Sequence, residues 1–183
     1  MASLLDIANL DLASTPGQLP PAAEPAPAPP SAIPTAQAAR IIQGQHTEVF
    51  VQAFADRVLV LVTQVGRIGC MIQVNPPPPG LPAPLTSTSN SLFPSLPPPH
   101  PSTILQPLFG VPPSPHAGSL HDLYANQVGA IVFSSGMDAG FSRPVLLGIA
   151  LKPSKEEGDY GVSEEERQTF GEVMEMLQGC KVW

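Results

Sequence analysis

An α+β fold in a single domain is what this chain predicts, and three observations carry the prediction. Val58–Val74, VLVLVTQVGRIGCMIQV, reads as two strands around a glycine-bearing link. Near the far end, Ser163 and Glu166 frame a helix start, and Phe170, Val173, Met174 and Leu177 follow at i, i+3, i+4 and i+7. Two proline tracts separate the patterned segments, and proline suits neither a helix interior nor a central strand.

The elements follow in order. Of the 25 prolines, eight lie in Pro16–Pro34 and fifteen in Pro76–Pro115. The first tract reads as a solvated extended linker, which makes residues 1–38 a disordered N-terminal extension. Thr47–Phe54 then alternates, with Thr47, Val49, Val51 and Ala53 on one face and Glu48, Phe50, Gln52 and Phe54 on the other. Asp56-Arg57 turns the chain into Val58–Gln64. There Val58, Val60 and Val62 line one face and Leu59 and Leu61 the other. A strand apolar on both faces belongs inside a sheet, covered on both sides.

Val65-Gly66-Arg67 reads as a hairpin link into Ile68–Val74, where Ile68, Cys70, Ile72 and Val74 face one way and Met71 and Gln73 the other. The three strands are expected to form an antiparallel meander. A disordered proline-rich insertion at about residues 76–101 interrupts the domain, since loop closure entropy grows only as the logarithm of length. Thr103–Phe109 is the fourth strand, with Pro107 marking an edge. A helix is expected from Ser119, capped through Asp122, with Leu120, Leu123, Tyr124 and Gln127/Val128 on one side and Asn126 near its end. Val128–Ser134 is read as strand five, Gly136–Gly140 as a turn, and Val145–Leu151 as strand six. The last helix runs from Ser163 to a Gly179 stop, leaving the tail Cys180–Trp183. The predicted order is βββ, insertion, β, α, ββ, α, with the folded domain over residues 39–183.

Composition narrows the functional classes. The folded segments, on the order of 120 residues, suit one domain that needs neither disulfide nor metal. Cys70 and Cys180 fall in patterned segments and read as reduced cytosolic or nuclear thiols. MASLLDIANLDLAST lacks the basic start of a secretory or mitochondrial signal, and no apolar run approaches a membrane span. A formal charge of −7 disfavours nucleic acid and anionic membranes as partners. The acids concentrate at Glu156, Glu157, Asp159 and Glu164–Glu166. A solvated loop and helix start accounts for them, with docking to a basic partner as the alternative.

Candidate chemistry is sparse. His116 and His121 are five residues apart, which does not bring two imidazoles to one helix face, and His46 and His100 lie elsewhere. Ser119, His121 and Asp122 are too close in sequence for a relay through three side chains. Phe133-Ser-Ser-Gly136 lacks the flanking glycine of a nucleophile elbow. Gly66 and Gly69 are hairpin glycines rather than a phosphate fingerprint. Cys70 reads as a small buried hydrophobe, and Cys180 beside Lys181 as a thiol open to slight activation. Trp183 either packs on the sheet or anchors an interface. No catalytic residue, metal or cofactor is implied.

LVLVTQVGRIG, preceded by TEVFVQAF and followed by PVLLGIALK and the ending CKVW, resembles the proteasome assembly chaperone 3 family over roughly Thr47–Val74 and Thr103–Trp183. The resemblance implies a six-stranded antiparallel sheet with two helices. It implies a non-enzymatic, ATP-independent chaperone of cytoplasm and nucleus. Such a chaperone pairs with the fourth assembly chaperone of the set, docks on α subunits of the 20S proteasome core, promotes α-ring assembly and leaves as β subunits arrive. It allows a homodimer in isolation. The interface residues it points to are Gln64, Gly66, Arg67 and Gly69 in the link, and Lys181, Val182 and Trp183 in the tail. The N-terminal extension and the proline-rich insertion depart from the family pattern. A dimeric α+β scaffold of trafficking or signalling complexes is the alternative class, with an enzyme third.

Overall fold

The computed structural model describes residues 33–64, 66–78, 93, 95–136, 143–152 and 161–183, all within the compact unit Ser31–Trp183. Its elements are β1 (Thr35–Ile42), β2 (Gln45–Ala53), β3 (Val58–Thr63), β4 (Cys70–Asn75), β5 (Ile104–Phe109), α1 (Pro115–Gly136), β6 (Val145–Ala150) and α2 (Glu164–Gly179). Six strands and two helices make the expected α+β fold, in the spatial order β1-β2-β3-β6-β4-β5. The sheet is mixed rather than wholly antiparallel, because β3 and β6 run parallel.

That pairing corrects the meander. β6 lies between β3 and β4, antiparallel to β4, so the link from Gln64 to Gly69 crosses the end of another strand instead of closing a hairpin. The cause is α1. At 22 residues it spans about 33 Å and returns the chain to the end of the sheet where β3 begins. There Val58 N–H donates to Pro144 O at 3.0 Å. β6 is buried along most of its length, which places it at the centre of the sheet.

α1 absorbs the expected fifth strand. Val128–Phe133 is a continuous buried run, a pattern that a buried strand and a buried helix share. The helix starts earlier than Ser119. Ser114 Oγ accepts from Ala117 N–H at 3.2 Å, and Pro115 takes the first helical position, where its missing N–H costs nothing. Ser119 Oγ instead donates to Pro115 O, and Asn126 sits inside the helix with its Nδ2 donating to Asp122 O. Tyr124, Gln127 and Val128 are buried as expected, whereas Leu123 points to solvent.

The sixth strand straddles the boundary expected at residue 38 between extension and domain. Thr35–Ile42 pairs with β2 over its whole length, so the folded region starts before residue 39. The turn Gln43-Gly44 has positive φ at both residues, 49° and 73°, the pattern of a type I′ hairpin. Gln43 Nε2 donates to Glu165 O and ties that turn to α2.

Both helices lie on one face of the sheet, α1 against β4 and β6, α2 against β1 and β2. The core is the valine-rich set Val49, Val51, Val58, Val60, Val62, Val74 and Val145 with Leu147 and Ile149, covered by Tyr124, Val128, Phe170, Val173, Met174 and Leu177. The predicted face of α2 is therefore the buried one. Its capping box is complete: Glu166 N–H donates to Ser163 Oγ, and Ser163 N–H donates to Glu166 Oε2. Gly179 is the last helical residue and Cys180 the cap, so the glycine is not the stop. The end of the proline-rich insertion also belongs to the fold. Phe93 stacks obliquely on Phe170, Leu96 packs on the core, and Pro97 O accepts from Gln127 Nε2 at 2.8 Å. Val65, residues 79–92 of the insertion, residues 137–140 of the expected turn, and Glu156, Glu157 and Asp159 lie outside the described residues.

Candidate protein interface

β2, β3 and β4 bury alternate residues against the helices and turn the others the opposite way, whereas β6 is buried except at Leu146. The outward set is apolar at its centre: Phe50, Leu59, Leu61, Leu146 and Met71, all half-buried. Register aligns them across the sheet, Phe50 beside Leu61, Leu59 beside Leu146, and Met71 beside Gly148. Ile41 extends the surface on β1, and Ile104 and Phe109 on β5, at 71%, 60% and 51% exposure. Around this centre the polar groups are mostly amides and hydroxyls: Gln52, Thr63, Gln73 and Asn75, with Glu48 beside His46. The expectation that both faces of β3 are covered holds for one face. Among the described residues, no helix covers the other.

The link over β6 is built from internal bonds. Gln64 N–H donates to Ala150 O at 2.9 Å, its Nε2 donates to Thr47 Oγ1 at 3.0 Å, and its Oε1 accepts from Lys152 N–H at 3.0 Å. Gln64 thus joins β2, β3 and the end of β6. Gly69 has φ 66°, and a Cβ there would meet Ile149 O at 2.6 Å and Ala150 Cβ at 2.9 Å. Both residues therefore have internal structural work. Gly66 has φ 65° with open space around it, and Arg67 is exposed, its N–H donating to Thr63 Oγ1. Ile68 does not join the inward row. It lies before β4, is 39% exposed, and leans over Gly148 on the open face, where an added Cβ would meet its Cγ2 at 2.9 Å.

The tail sits on the helix layer, apart from the link. Val182 and Trp183 pack against the core, and Lys181 is exposed. Trp183, Lys181, Gln178, Ser134, Ile131 and Ser95–Pro97 line a cleft of about 470 Å³. Among the described residues its side chains offer hydroxyls, an amide and one ammonium, but no side-chain carboxylate, imidazole or thiol. The Trp183 indole N–H is buried without an acceptor among the described residues. The seven predicted interface residues therefore fall in two places, and the open sheet face was not among them. Its signal was present in Leu59 and Leu61.

The titratable groups are mainly structural. Burial pushes the Cys180 thiol up, opposite to the activation considered for it. His121 is buried, and desolvation lowers its pKa against the opposing charge of Asp122. His116 is exposed and bonds Glu166 Oε1 at 2.9 Å, so the two imidazoles have separate surroundings. Among the described residues there is no cluster of three or more His, Cys, Asp or Glu able to hold a metal, and no helix long and apolar enough to cross a membrane. In comparison with known proteins, the chain matches no family model and no curated protein.

Proposed function

We propose that this chain is a non-enzymatic chaperone subunit that uses its open sheet face to pair with a second small chaperone of similar fold. Together they hold α subunits of the 20S proteasome core while the α ring forms, in cytoplasm and nucleus, and arriving β subunits displace them. The observation that carries the reading is the face around Leu59, Leu61 and Phe50, an apolar surface that no helix among the described residues covers. Contiguous apolar surface of this kind marks a protein contact. Its uncharged centre suits another apolar sheet better than nucleic acid. The choice of partner rests on the resemblance of LVLVTQVGRIG and CKVW to the assembly-chaperone family.

A chaperone of this type needs only to bind an intermediate more tightly than the finished particle, so no bond is made or broken. The test is mass spectrometry of everything that purifies natively with the tagged chain from growing cells. The expected result is α subunits and one small chaperone, with few mature β subunits. A stable complex without proteasome subunits would overturn the reading and favour a scaffold of trafficking or signalling assemblies.

A further inference from the structure

The two edges of the sheet differ. β5 carries Pro107, which has no N–H, and its register against β4 shifts between Met71 and Ile72. Proline and irregular pairing are the devices that blunt an edge against strand addition. β1 has neither, and pairs with β2 without a break from Thr35 to Ile42. The two-residue turn makes Ile42 and Gln45 a hydrogen-bonded pair. Pro34 O accepts from Ala53 N–H at 2.9 Å in the same phase. The even-numbered residues of β1 therefore bond to β2, and Thr35, Gln37, Ala39 and Ile41 direct their N–H and C=O groups along the open edge. Among the described residues no strand pairs there.

The edge is also compatible with its own copy. Its one charge, Arg40, lies on the helix side, 2.9 Å from Glu175 and 3.8 Å from Glu172. Like edges would meet without uncompensated repulsion.

We propose that β1 pairs antiparallel with β1 of a second copy of this chain, Thr35 opposite Ile41 and Gln37 opposite Ala39, about a two-fold axis at Ala38. This register keeps the helix side of each strand aligned with that of its copy. It puts Ala38 against Ala38 in the non-hydrogen-bonded position, where strands approach to about 4.5 Å between Cα atoms and small side chains fit. The open sheet face stays free, so the contact is independent of the pairing in the proposed function.

The test is amide hydrogen exchange by NMR on the full chain, dilute and concentrated. The N–H groups of Gln37, Ala39 and Ile41 are expected to slow by roughly tenfold or more on concentration, while those of Ala38, Arg40 and Ile42, already bonded to β2, do not change. Ala39→Pro removes an outward donor and no β1–β2 bond, and is expected to give a monomer by light scattering. Gln37→Lys adds a charge beside its own copy and is expected to do the same, which covers the case in which proline perturbs the strand. No concentration dependence of the odd-numbered amides, or a dimer that survives both substitutions, overturns the proposal. So does a dimer lost on Leu59→Arg but kept in Ala39→Pro, because that places self-association on the sheet face.

Discussion

Gly66 and Gly69 read alike in sequence, and the surroundings of each backbone separate them. Both occupy left-handed backbone, at φ 65° and 66°, but only Gly69 is pressed against β6. Gly66→Ala is expected to cost about 1 kcal/mol, the left-handed penalty for a residue with a Cβ. Gly69→Ala adds a clash with the Ile149 carbonyl and is expected to cost clearly more; urea denaturation of the two variants compares them. Glu166 supplies a second residue-level expectation. Burial raises its pKa, but the Ser163 N–H and His116 outweigh burial and hold it below the usual carboxylate range. A depressed carboxyl contributes stability that is present above its unfolded pKa and lost as pH falls through the folded value. Unfolding free energy measured down from neutral pH should therefore drop more steeply below about pH 4.3 in the wild type than in Glu166→Gln. Ser163→Ala, which removes the other half of the capping box, should cost about 1 kcal/mol.

Among the elements, α2 was legible because its cap and apolar stripe agree, and burial reproduces both. β2 was legible because its two faces alternate, and β3 because a short β-branched run between turn residues reads as a strand. β1 was not: TAQAARII is short of β-branched and aromatic residues and follows a proline tract, and pairing with β2 rather than propensity makes it a strand. Val128–Phe133 failed for the opposite reason, since a run apolar on every side carries no period. Gly129 shows how tightly α1 is seated. Glycine to alanine inside a helix ordinarily gains about 0.5–1 kcal/mol. Here the new Cβ would stand 2.8 Å from Val74 Cγ1 and 3.1 Å from Phe133 Cε2, and valine is stiff at χ1. Gly129→Ala is expected to lower the melting temperature, the reverse of the propensity effect, as read by thermal denaturation.

For the whole molecule, the placement of both helices on one face of a sheet with two apolar faces is the feature with functional weight. Leu59→Arg tests it. The position is half-buried on the open face between Gln52 and Leu146, and an arginine stem can lie along apolar surface with its charge in water. The variant should keep the circular dichroism and melting temperature of the wild type within a small margin. Partners recovered by affinity purification should be lost. The two segments that the family resemblance points to lie apart: folding puts Lys181–Trp183 on the helix layer and Gln64–Gly69 across the end of β6.

The sequence by itself determined the class, the buried face of α2, the division of β2 and β3 into two faces, the inward row of β4 from Cys70 onward, and the presence of an apolar second face on β3. Each is set by local periodicity and capping, which depend only on residues near in the chain. Tertiary structure alone decided that β6 enters between β3 and β4, that residues 128–133 are helical, that Thr35–Ile42 is a strand, and that no helix among the described residues covers the second face of β3. Those outcomes depend on pairing between segments far apart in sequence, where an apolar run can satisfy its burial in more than one place.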